Sequence, residues 1–292
     1  MMLARRGMAS PKFCKFFMPL SLVGLLFLYL SIRLPDDHLR KCSMNGGPCL
    51  EHHRSVESIK NEIDAINGDT QSLERITTEF SKHCSGQDFQ ISRVLVSFNS
   101  AVTKDEEILL EQYLVGWDEL IKFMEALGTV FSFISQEVKG KIGILRELQS
   151  TARGNEYYSV RSMMDHELRH NLVNFHKQTN SGCRTLLRLH RALKWLELFL
   201  HKLGMSSDES NTSDLCQEAY DEALAPYHSW IVRQAASMAF LALPGRKVFF
   251  DIVCIEHEGE AQLVLERTVR SIVHVYNITQ EAYHSRGMLY LP

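Results

Sequence analysis

The chain has 292 residues, 45% of them hydrophobic and 23% charged, which is ordinary globular composition with room for one large domain or two small ones. A net charge of −3 excludes a general pull on nucleic acid, so any anion site must be local. Seven cysteines, odd in number and scattered, exclude the spacing of a disulfide framework or a zinc knuckle.

Residues 1–15 form a basic tail carrying Arg5, Arg6, Lys12 and Lys15. Residues 16–32 are uncharged and apolar, and Arg33 closes the run. Its length is at the short end of a membrane span. No small-x-small cleavage site follows, so it reads as an uncleaved anchor rather than a signal peptide. The basic residues before it only slightly outnumber Arg33, Arg40 and Lys41 after it, which leans toward a cytoplasmic N-terminus and a lumenal body. Residues 33–86 are polar and turn-rich, with Pro35, Gly46, Gly47, Pro48 and Gly68, and read as a tether. Within it Ser55 to Ile66 predicts a short amphipathic helix. Cys42 and Cys49 flank a Gly-Gly-Pro turn and would pair only in an oxidising compartment.

From residue 87 to 292 apolar residues recur at helical spacing. The periodicity predicts helices over Phe89–Val102, Asp105–Leu127, Thr129–Leu148, Tyr157–Gln178 and Ser181–Leu203. One or two follow over Asp214–Leu243, stopped by Pro244-Gly245, then Lys247–Ile255 and Glu260–Tyr283. Val248 to Ile255 also fits a strand. The class is therefore all-α, one domain of about 200 residues around one core. Sequons occur at Asn211 and Asn277, a triplet common by chance.

Ser181 to Leu203 carries the strongest pattern. Leu186, Leu189, Leu193, Leu196 and Leu200 share one face of the predicted helix, and Arg184, Arg188, Arg191 and Trp195 share the other. Three guanidiniums in two turns, with no acid between them, repel one another unless an anion covers them. Their forks fit phosphate or carboxylate oxygens. A solvated, Arg-rich face is the plain alternative.

His166-Glu167-Leu168-Arg169-His170 matches the zinc-protease pattern H-E-x-x-H, with His176 at a third-ligand position. The metzincin helix breaks at a glycine to bring that third histidine back, and Val173 stands there instead. The alternative is a half-exposed helix with Asp165, Glu167 and Arg169 as surface charges. Glu137 and Lys141 form an i,i+4 pair, either a surface salt bridge or the rim of a pocket beside the apolar Phe131–Ile134. His228 follows Pro226 and is either a capping or packing residue or a ligand. Trp230 is either core or an indole at a membrane interface. No nucleophile elbow, P-loop or dinucleotide fingerprint is present.

Four strings, LVGWDELIKFMEALGTVFSFISQEVKGKI, SGCRTLLRLHRALKWLELFLHKL, PYHSWIVRQA and VYNITQEAY, resemble the glycolipid transfer protein family. The wording is nearest its ceramide-1-phosphate branch, and the apolar N-terminal run looks like a paralogue of that branch. The resemblance covers residues 87–292. It implies a two-layer all-α fold that holds one sphingolipid, with the chains in an interior pocket and no chemical conversion. It places Glu137 on the ceramide amide N–H and His228 on the amide carbonyl, with Lys141, Arg184 and Arg188 on the head group. The sugar-selective branch has Trp where Arg188 stands, so ceramide 1-phosphate is favoured over a glycolipid. The family acid is Asp, and Glu137 is one methylene longer. Trp230 matches a membrane-contact position. The implied partners are a sphingolipid and a membrane surface, with no cofactor, metal or nucleic acid, and the domain faces the cytosol. Two rival readings remain: an anchored zinc protease using His166, Glu167 and His170, and a tethered sphingolipid sensor that moves nothing.

Overall fold

The structure, a computed structural model, describes residues 88–151, 154–207, 209–253 and 258–292. The basic tail, the apolar run at 16–32, the tether and the Cys42–Cys49 turn all lie outside these. Among the described residues no helix is long and apolar enough to cross a membrane.

The described chain folds into nine α-helices, with only two isolated β-bridges. They are α1 (Ile91–Ala101), α2 (Leu110–Ala126), α3 (Thr129–Ser150), α4 (Val160–Arg169), α5 (Gly182–Met205), α6 (Thr212–Ala223), α7 (Trp230–Phe240), α8 (Arg246–Val253) and α9 (Glu258–His284). Short 3-10 turns at Gly154–Tyr157 and Ala225–Tyr227 lead toward α4 and α7.

Local chemistry sets the boundaries. Ser159 and Ser162 form a reciprocal capping box at α4. Ser181 accepts the Arg184 N–H at the start of α5, and Asn211 accepts the Ser213 N–H at the start of α6. The α2–α3 corner turns at Gly128, whose φ of 112° favours glycine.

Two expectations need correction. The helix expected over Tyr157–Gln178 ends at Arg169. Asn171 takes a left-handed φ of 54°, and the chain runs through a loop to Ser181. The strand alternative at Val248–Ile255 gives way to α8, which buries Phe249 and Val253.

The packing places α5 at the centre, against α3, α4, α6 and α9. Helix α1 packs on both α2 and α9, and α2 packs on α3. The sequence α5–α3–α2–α1–α9 and back to α5 is a closed ring. Leu120, Phe123, Leu200 and Val253 meet Phe89, Ile91, Val94 and Thr268 around a gap of about 10 Å³. A helix touched on so many sides is buried nearly all round. Accordingly Trp195, expected on the polar face with the arginines, is 4% exposed, and its ring lies 5.9 Å from that of Phe240.

Candidate functional site

The site is built on the first turns of α5. Its N-terminus abuts α4, where the buried Glu167 carboxylate accepts the N–H groups of Gly182 at 2.6 Å and Cys183 at 2.9 Å, and the Tyr157 hydroxyl at 3.1 Å. A negative group here satisfies two orphan donors and meets the positive end of the helix dipole. Gly182 fits because it lacks a Cβ, which would stand 2.7 Å from Met163 Sδ and 3.0 Å from Glu167 Oε1. Glu167 is therefore no surface charge, as the plain reading of that helix had it.

The zinc-protease constellation does not assemble as an active site. Glu167 is spent on the α5 amides. His166 is buried, with its ring 4.3 Å from that of His170 and 5.7 Å from that of Tyr157. His176 sits beyond the end of α4, exposed in the following loop. Among the described residues no three His, Cys, Asp or Glu side chains gather as a metal-holding group.

The arginine stripe is not splayed into solvent. Arg184, Arg188 and Arg191 are all half-buried. Arg184 Nε donates to the main-chain oxygen of Pro292. Arg191 Nη2 donates to the Leu289 carbonyl at 2.8 Å, and its guanidinium lies 3.9 Å from the centre of the Tyr227 ring. Arg188 lies one turn beyond Arg184 on the same helix.

Helix α3, which packs on α5, carries the next pair. Lys141 Nζ donates to Glu137 Oε1, with the lysine side chain largely covered and the carboxylate more than half exposed. His228 follows the Ala225–Tyr227 turn and hangs from α6, because the Tyr220 hydroxyl meets its Nδ1 at 2.7 Å. Burial raises the Tyr220 hydroxyl above its ordinary range. Trp230 opens α7 and is 66% exposed. Leu241, at 70%, lies about 20° round the same face eleven residues on, with Met238 and Ile231 beside that face.

All six residues singled out in the sequence thus sit on α5, on its neighbour α3, or on the turn and helix that α6 holds. Tyr220, Tyr227, Leu289 and Pro292 were not found from the sequence. Tyr227 is adjacent to His228 and gave a weak signal. The two tail residues act through main-chain oxygens, which no side-chain pattern reveals.

The family model described as Glycolipid transfer protein (GLTP) matches residues 108–255. A ceramide-1-phosphate transfer protein of Mus musculus is 46% identical over 213 residues, covering 71% of this chain and 99% of that protein. One of Danio rerio is 44% identical over 207 residues, covering 70% and 98%. A crystal structure of human ceramide-1-phosphate transfer protein in complex with 2:0 ceramide-1-phosphate superposes with a TM-score of 0.68 at 40% identity, covering 70% of this chain and 99% of that one.

Proposed function

Because this chain belongs to the glycolipid transfer protein family, we propose that it is a non-enzymatic carrier of a sphingolipid, and that the lipid is ceramide 1-phosphate. The observation that carries this reading is its likeness, over nearly the whole length of those proteins, to relatives named for that lipid, one of them solved with the lipid bound. Arg184 and Arg188, one turn apart where a sugar carrier would need a stacking Trp, agree with a phosphate.

The residues divide the work. A lipid phosphate carries up to two negative charges and draws charge-assisted bonds from Arg184, Arg188 and Lys141, each worth about 1.5–3 kcal/mol. As Lys141 turns to the phosphate it releases the Glu137 carboxylate to accept the ceramide amide N–H. His228 Nε2–H donates to the amide carbonyl. The chains enter the apolar interior at about 0.8 kcal/mol per buried CH₂. They leave an equally apolar membrane, so the exchange is nearly balanced and reversible. Trp230 and the exposed face of α7 rest on the bilayer. The run at 16–32 tethers the cytosol-facing domain to a membrane.

The test is movement of ceramide 1-phosphate between vesicles by Arg184→Leu and Arg188→Leu. Each variant is expected to lose at least nine-tenths of the transfer while helical circular dichroism is kept. Parental transfer by both would reject the head-group assignment.

A further inference from the structure

The family resemblance uses two of the three arginines on α5 and leaves Arg191 without a task. From its contacts we infer that Arg191 is a positioning residue that latches the C-terminal tail and the His228 turn onto one point of α5. Two independent contacts meet in its side chain. Nη2 holds the Leu289 carbonyl at 2.8 Å, and the guanidinium plane covers the Tyr227 ring at 3.9 Å.

Each contact leads to a residue of the proposed head-group site. The tail continues from Leu289 through the buried Leu291 to Pro292, whose main-chain oxygen accepts from Arg184 Nε. The Ala225–Tyr227 turn continues directly into His228, which Tyr220 grips from the other side. Arg184 and His228 are thus set relative to each other through Arg191. A guanidinium suits this task because one planar group can donate in its plane and stack on an aromatic face together. A lysine ammonium has no such plane.

The transfer part of this inference rests on the carrier reading, and the latch itself does not. The test therefore has one arm without lipid. In the full-length chain, Arg191→Met keeps the length and removes both contacts. Amide exchange at Tyr227 and His228, bonded to Leu224 and Ala225, and at Leu291, bonded to Met288, is expected to quicken at least ten-fold. Unchanged exchange in either segment overturns the latch. In the second arm, ceramide 1-phosphate transfer between vesicles is expected to fall at least ten-fold and transfer of unphosphorylated ceramide less. An equal fall for both lipids overturns the link to the head group. Arg191→Lys is expected to fall between parent and Met variant, and parental behaviour would show that charge alone suffices and reject the latch. Quickened exchange in a protein whose parent moves no lipid upholds the latch and rejects the carrier.

Discussion

His190 lies one position before Arg191, on the buried side of α5. Its ring stacks on Tyr276 with centroids 4.1 Å apart, and Nε2 donates to Gln280 Oε1 at 2.7 Å. Burial pushes its pKa down from 6.5 to about 4, with the nearby Arg191 and Lys194 charges adding to the burial and the Gln280 bond opposing it. The unfolded chain therefore takes up this proton first as pH falls. Stability that is fully present above pH 6.5 drains away between about 6.5 and 4, on the order of 3 kcal/mol in all, and falls no further below that. His190→Phe keeps the stack on Tyr276 and removes the proton. Denaturant unfolding across pH 7 to 4 should show a shallower loss in the variant than in the parent. Parallel curves would mean that His190 does not titrate in this window.

At the scale of elements, α4 and α5 are joined by Glu167, and the joint has a measurable strength. Glu167→Ala leaves two N–H groups at the start of α5 without their acceptor. Charged hydrogen bonds and caps of this kind are worth about 2–3 kcal/mol together. For a domain of this size, that lowers the melting temperature by about 5–10 °C. Thermal unfolding of Glu167→Ala checks it, and an unchanged midpoint would reject the capping role. The same joint marks how far the sequence is legible. Nearly every helix could be placed from apolar spacing, because burying one stripe per helix is what builds this core. The H-E-x-x-H string was legible as a pattern but not as a role. Whether Glu167 faces solvent or a neighbouring helix terminus depends on the α4–α5 packing, which is not local. The early end of α4 was equally hidden, since nothing in Asn171 or Leu172 alone forbids another turn. Trp195 shows the opposite failure. Angular position put it with the arginines, yet α6 and α7 supply Cys216 and Phe240 to bury it, so a stripe shared on a wheel is not shared in exposure. In the candidate site, the stripe of Arg184, Arg188 and Arg191 and the Glu137–Lys141 pair could be read from spacing, while main-chain acceptors such as Leu289 and Pro292 could not.

The molecule as a whole must reconcile a closed ring of helices with a lipid cargo. A gap of about 10 Å³ holds no more than about one water, so it would take an acyl chain only if the helices lining it parted. Such an opening exposes apolar surface to water unless it occurs against a bilayer, where the exposed face of α7 would already lie. The N-terminal run bears on this directly, because a carrier has to leave one membrane to serve another. Residues 87–292 take in the region that the family model matches, and the relatives are complete over a comparable length. That portion alone is therefore expected to fold and to move ceramide 1-phosphate between dispersed vesicles. With residues 16–32 acting as the proposed anchor, the full chain is expected to stay with the vesicles that carry it on flotation. It should transfer lipid only when donor and acceptor vesicles are tethered in contact. Free shuttling by the full chain would reject the anchor. Failure of the 87–292 chain to move lipid between vesicles that it visibly binds would reject the carrier and favour a sensor that keeps its lipid.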